Sequence, residues 1–231
     1  MIFLIPWRYA LLLSLLLLLN CYSVEAQKTQ VRQDFGAWIG FKIKKDFPKD
    51  FQWSLEQQIR TWKNSTRIDK YFAELGLKYT INKNFYLGTN LRYIHNTNRW
   101  EEPENALRYN MDLGFKINLG KKNRLTYRVR YQQRITHTKR ALAPDITTVT
   151  RNRIKWQLKY KKTHKFYTGV ELFIRREALR TAYMDRLRFS FGDKIKTKIG
   201  QFDVGVGYET NLQPQDPFSF FFVKIIHTLS L

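Results

Sequence analysis

From Phe35 onward the chain alternates apolar and polar residues at period two, most clearly between residues 69 and 96. Tyr71, Ala73, Leu75, Leu77 and Tyr79 form one set there, and Lys70, Phe72, Glu74, Gly76 and Lys78 the other. After the polar turn 82–84, Phe85, Leu87, Thr89, Leu91 and Tyr93 alternate with Tyr86, Gly88, Asn90 and Arg92. Successive side chains of a strand point to opposite faces, so this pattern predicts a β-hairpin with one apolar and one mainly polar face. Aromatic residues bracket each apolar face, Tyr71 with Tyr79 and Phe85 with Tyr93. At about 3.3 Å per residue and a tilt near 40°, that spacing climbs roughly 20 Å, close to the apolar band of an outer membrane between its aromatic girdles. The hairpin is therefore expected to cross a membrane, with lipid on the apolar face and a polar barrel interior on the other.

The same alternation predicts strands at 35–43, 51–62, 106–119, 123–134, 153–160, 166–176, 183–192, 197–209 and 218–231. Connections at 82–84, 120–122, 161–164 and 193–196 read as tight turns. Those at 97–105 and 136–148 read as long loops, as short periplasmic turns and longer outer loops would be. The expected fold class is all-β: a single antiparallel transmembrane β-barrel of 10–12 strands. Eleven segments carry the pattern, but single-chain bacterial barrels have even strand numbers. Ten or twelve strands are therefore expected, with twelve favoured. A soluble periplasmic barrel with its apolar face turned inward is the structural alternative. The aromatic brackets and an arginine-rich polar face argue against it.

The N-terminus sets the compartment. Arg8 precedes an apolar run over residues 10–19, and Val24-Glu25-Ala26 has the small-x-small form of a signal-peptidase site. Residues 1–26 thus read as a cleaved signal peptide and 27–231 as the barrel, in the outer membrane of a Gram-negative bacterium. The run is shorter than the roughly 20 residues a membrane-spanning helix needs. Lipidation at Cys21 is the other alternative, and Asn20 before it fits poorly. Cleavage removes that cysteine, the only one in the chain, and with it any disulfide or thiolate site. The net charge of +22 would suggest nucleic acid in a cytosolic protein. Here export argues otherwise, and most of the charge falls at alternate strand positions and in turns, so no nucleic-acid partner is expected. Expected partners are outer-membrane lipid, lipopolysaccharide and the barrel-assembly machinery.

The inward positions are the most informative. The expected lumen lining is Glu56, Arg60, Glu74, Arg92, Arg108, Asp112, Arg128, Arg130, Arg153, Lys155, Glu171, Arg186 and Arg188. Lys70, Arg124, Arg175, Asp203 and Glu209 lie on the same face. Rings of Arg or Lys favour anions; the same residues can instead pair across strands and fill a narrow interior. The function expected is therefore either a narrow passive, anion-preferring channel or a closed structural barrel. The alternatives are a barrel enzyme acting on lipid or envelope substrates, or a barrel that binds a partner through its long loops. His95, His137, His164 and His227 have no serine or carboxylate at a recognisable offset. No catalytic residue, cofactor or metal site is expected. Inward glycines are expected to provide curvature and room for large neighbours.

Several segments resemble a known family. Residues 67–79, RIDKYFAELGLKY, with NKNFYLG at 82–88 and LRY at 91–93, are similar to its central signature. DFGAW at 34–38, RVRYQQR at 128–134, RNRIK at 151–155 and DRLRF at 185–189 fit its other strands. The family is the domain-of-unknown-function 2490 group of small secreted barrels common in Bacteroidota. The resemblance covers residues 34–231 and implies an outer-membrane β-barrel. It brings no established catalytic or binding residue with it.

Overall fold

An odd number of strands that alternate in direction leaves the first and last running the same way. In the computed structural model of the chain those two strands pair. The structure describes residues 31–48, 50–97, 103–137, 144–177, 181–213 and 217–231. The expected signal peptide and parts of both expected long loops lie outside the described residues. The strands are β1 (Arg32–Asp46), β2 (Phe51–Trp62), β3 (Arg67–Thr80), β4 (Phe85–Asn96), β5 (Glu104–Leu119), β6 (Asn123–His137), β7 (Asp145–Lys159), β8 (His164–Arg176), β9 (Tyr183–Thr197), β10 (Gly200–Asn211) and β11 (Phe218–Ser230). Sequence neighbours pair antiparallel, and a parallel β1–β11 ladder from Arg32↔Phe218 to Lys44↔Ser230 closes the barrel.

The expectation of ten or twelve strands is corrected to eleven. Each of the eleven patterned segments is a strand, and the parallel seam absorbs the odd count. Two boundaries also differ. Residues 193–196 continue β9 instead of turning, because Lys194 and Lys196 keep the polar alternation going. The reversal falls at 198–199, with Gly200 at φ +129°. The expected loop 136–148 is shortened from both sides by β6 and β7. The first half of β7 was obscured because Thr148, Thr150 and Asn152 alternate with Val149 and Arg151, which blurs the contrast between its faces.

The apolar set faces out. Ile39, Leu75 and Met111 are each at least half exposed, and every strand carries exposed apolar residues on this face. This facing rules out the alternative with an apolar interior. Following paired residues once round the barrel runs Lys159, Lys165, Lys194, Asp203, Ile226, Gly40, Gln58, Phe72, Ile94, Ala106, Thr136 and back to β7 at Asp145. The path returns displaced along its own strand. That displacement is the shear that tilts the strands of a closed barrel, typically by about 35–45°.

Inside, the seam is held by aromatic packing. Trp38 of β1 stacks on Phe222 of β11 at 3.6 Å between ring centroids, with Phe220 beside them. Phe222 lies across Gly207 of β10, where an added Cβ would come within 2.2 Å of its ring. A second aromatic lies across Gly192 and Gly205, whose Cβ atoms would meet the Tyr167 hydroxyl at 2.5 and 2.8 Å. These glycines make room for large neighbours, as the sequence suggested for Gly205 and Gly207.

Replacing Trp38 with Ala is expected to destabilise the folded barrel by about 3–5 kcal/mol, as for other large buried aromatics. Ile39→Ala, on the outer face of the same strand, is expected to cost clearly less in detergent. Urea unfolding followed by tryptophan fluorescence and by mobility of the unheated protein in gels compares the two variants. Equal losses would show that the stack does not hold the seam.

Candidate functional site

The interior is built from cross-strand rows of arginine. Arg92, Arg108 and Arg134 are register partners on β4, β5 and β6. Arg130 faces Arg151, and Arg128 faces Arg153, across β6 and β7. Like charges placed directly opposite destabilise a sheet, so each row needs compensation, and the structure supplies it in two ways.

The first is a lattice of buried carboxylates. Glu171 of β8 accepts from Arg128 at 2.7 Å and from Arg151 at 2.9 Å, with Arg188 at 3.3 Å. Arg130 grips Asp112 with two parallel bonds of 2.6 Å, the fork geometry that makes arginine–carboxylate pairs strong. Arg188 and Arg186 both reach Glu209, at 2.7 and 3.0 Å. Arg186 and Arg175 then share Asp185. The lattice thus runs through six consecutive strands, from Asp112 on β5 to Glu209 on β10. Arg92 and Glu74 form a separate buried pair at 2.6 Å.

The second is a chain of guanidinium groups stacked on aromatic rings. Arg92 and Arg60 lie over Phe72 at 3.6 and 5.2 Å, and Arg60 lies over Trp38 at 3.8 Å. Arg188 approaches Trp38 at 5.1 Å and Phe173 at 4.8 Å, and Arg151 approaches Phe173 at 4.6 Å. The negative face of a ring attracts a cation without adding a charge of its own. The ring faces, with a hydrogen bond of 2.7 Å from the Arg60 Nε to the Gln58 side-chain carbonyl, therefore hold Arg60, which has no carboxylate partner among the described residues.

Together these groups border a cavity of about 470 Å³ lined by thirteen Lys or Arg side chains and four carboxylates. Twelve of the sequence-predicted residues line it: Glu56, Arg60, Glu74, Arg92, Arg108, Asp112, Arg128, Arg130, Arg153, Glu171, Arg186 and Arg188. Lys155 sits outside that lining, one inward position nearer the tight turns, with its ammonium 3.6 Å from the centre of the Tyr167 ring. Arg134 and Arg151 also line the cavity. Arg151 escaped the sequence reading because β7 was started too late; extending the alternation back from Arg153 would have found it. The inward aromatics Phe173, Tyr167 and Phe222 were missed as well, since a polar-face reading gives no weight to rings.

The compensation is incomplete. Arg108 has no ion pair among the described residues, and its Nε is buried without a partner, as is that of Arg153. The side-chain charges acting most strongly on Arg108 are those of Arg92, Arg134, Arg151 and Arg60, all cationic. Asn110 is fully buried with both amide atoms unpartnered.

Nearer the tight turns, Tyr167 is 2 % exposed. Its hydroxyl donates to Asp203 at 2.7 Å and accepts from Lys224 at 2.7 Å. Lys224 also pairs with Asp203 at 2.8 Å. Along β8, Lys165, Tyr167, Gly169 and Glu171 succeed one another on the inner face, so this cluster separates the barrel mouth from the cavity. Among the histidines, His164 does meet a carboxylate, Asp193, at 2.5 Å. The sequence reading missed this because it put Asp193 in a turn. His95 bonds Asn105, and His227 bonds the Ile199 carbonyl.

The model of a family described as protein of unknown function, DUF2490, matches residues 35–219. The chain belongs to that family. Its description assigns no role to any residue of the lumen. No curated protein matches the chain.

Glu171 joins three arginines and is itself buried, so removing its charge leaves Arg151 without a carboxylate among the described residues and weakens the pairing of Arg128 and Arg188. Glu171→Gln is expected to cost about 3–5 kcal/mol, the usual penalty for breaking a buried pair. Glu56→Gln breaks the wetter contact with Lys42 at 3.2 Å and is expected to cost about 1 kcal/mol or less. Adding Arg151→Gln to Glu171→Gln is expected to recover part of the loss. Unfolding midpoints of the four proteins in one detergent give the comparison.

Proposed function

We propose that this DUF2490 barrel sits in the outer membrane of a Gram-negative cell and that its lumen is a narrow, anion-preferring passage. One observation carries the reading: the closed wall has inside-out polarity, with exposed apolar side chains outside and arginines inside. In water the outer face would leave a large apolar surface unpaired, whereas a bilayer covers it. Closure also leaves no open sheet edge in the hydrocarbon region. Outward aromatic pairs near the tight turns, Phe51 with Tyr79 and Phe85 with Phe115, support a girdle. Tyr71 with His95 supports a second one nearer the long loops. Outer-membrane lipid and lipopolysaccharide are then the surroundings of the outer face.

The excess of cations over carboxylates around the cavity supports anion preference. A lumen meant only to be filled would be expected to balance its charges, and Arg108 and Arg153 have no ion pair among the described residues. Anions entering from solution would supply what the wall lacks. A second reading, a closed structural barrel, is favoured by the Glu171 lattice and by the Tyr167 cluster across the route to the tight-turn mouth.

Conductance of the refolded protein in a planar bilayer under a salt gradient separates the two. The expected result is small discrete steps with a reversal potential on the anion side. Arg108→Gln and Arg153→Gln, which break no ion pair, are expected to reduce that preference. A folded, heat-resistant barrel that stays silent would overturn the channel reading and leave the closed barrel.

A further inference from the structure

A second recess, of about 410 Å³, opens at the tight-turn end of the barrel. Lys44, Arg124, Lys159, Lys165 and Lys194 reach it from five strands, and Lys121 and Lys122 from the turn after β5. The rest of its lining is one glycine and four carboxamides, with no carboxylate, aromatic or aliphatic side chain. Lys194 has a distant carboxylate, Asp203 at 3.8 Å, and Arg124 spends its Nε on the Asn118 amide at 2.9 Å. Among the described residues, Lys44, Lys121, Lys122, Lys159 and Lys165 have no ion pair. Lys165 lies in the repulsive field of Lys159, Arg124, Lys196 and Lys44.

A group of cations this dense opposes its own assembly, and among the described residues only Asp203, 3.8 Å from Lys194, pairs with any of them. The central cavity differs in kind, because carboxylates and ring faces absorb much of its charge. We propose that the recess is a binding site for small solutes carrying clustered phosphate groups, taken up from the compartment the tight turns face. Its chemistry selects that class. Lysine ammonium groups are compact, hydrated point charges that suit several phosphate oxygens at once without fixed fork geometry. The four carboxamides add neutral donors. The absence of rings and aliphatic side chains leaves nothing to stack on a nucleobase or to hold an acyl chain, so the phosphates alone are recognised. A single phosphate neutralises at most two of the seven charges, so affinity is expected to rise with the number of linked phosphates.

Tripolyphosphate is the probe, titrated calorimetrically into the full-length barrel folded in a zwitterionic detergent. Binding measured in this way needs no open path and so does not depend on conduction. The expected result is saturable one-to-one binding, tighter than for inorganic phosphate. It should weaken as salt rises through about 0.1 M, where the screening length is about 10 Å. Lys165→Gln with Lys194→Gln is expected to reduce affinity by at least about tenfold. Lys83→Gln, in a turn that does not line the recess, is expected to leave it unchanged, and unheated gel mobility checks that each variant is folded. In nanodiscs, cardiolipin in place of zwitterionic lipid should not displace the probe; displacement would assign the site to a lipid headgroup instead. Absence of binding overturns the proposal. Binding that survives the double substitution but falls with Arg108→Gln also overturns it, and would place the anion in the central cavity and leave the proposed passage standing.

Discussion

The parallel pairing of β1 with β11 over thirteen residues turns an eleven-strand meander into a wall without edges, and the interior depends on that closure. Parallel ladders are slightly weaker per residue than antiparallel ones, and this one joins the two ends of the chain, so its loop-closure cost is the largest in the barrel. Side chains supply what the backbone lacks at the seam. Trp38 and Phe222 stack face to face across it, and Arg60 caps the far side of Trp38. The lid formed by that arginine is continuous with the ring-and-guanidinium chain of the lumen. Trp38 therefore takes part both in closing the barrel and in holding an interior charge.

The interior charge follows from the same geometry. An outer face committed to apolar residues leaves only alternate positions for everything else, and cross-strand register then sets arginine beside arginine. A carboxylate opposite each one would be the simplest relief, but burying many ion pairs costs desolvation that their attraction repays only in good geometry. Glu171 meets that condition by serving three arginines at once, and Asp112 does so through a bidentate fork. Elsewhere aromatic faces substitute. They hold a guanidinium flat against the wall, keep its hydrocarbon stem packed, and leave its net charge intact. The wall becomes rigid without becoming neutral.

Much of this was legible in the sequence, because period-two alternation fixes both the strands and their facing. The face of Leu75 and Leu77 and the face of Glu74 and Arg92 were assigned from alternation alone. What the pattern could not supply is anything set by register between strands. That Arg128, Arg151 and Arg188 converge on Glu171 depends on residues up to sixty apart in the chain lying side by side. That Gly192 and Gly205 exist for Tyr167 depends on a ring crossing two strands. The strand number was misjudged for a different reason: a rule of parity, drawn from other barrels, was weighed above eleven clear segments. Arg151 was lost where Thr148, Thr150 and Asn152 blur the alternation of β7.

The two polar spaces inside the barrel use different cations, and the difference is physical. Arginine, weakly hydrated and planar, dominates the cavity, where most guanidinium groups stack on a ring or bond a carboxylate. Lysine dominates the tight-turn mouth, where a strongly hydrated ammonium keeps most of its water. Between them lie Tyr167, Lys224 and Asp203, where a carboxylate is held by a hydroxyl as well as by ammonium groups. On the proposed route an anion would leave the lysines of the mouth, pass the paired Asp203, and reach the arginines of the cavity. The ammonium groups of Lys224 and Lys194 outnumber the one carboxylate they flank, so this cluster narrows the proposed route without setting a net negative charge across it.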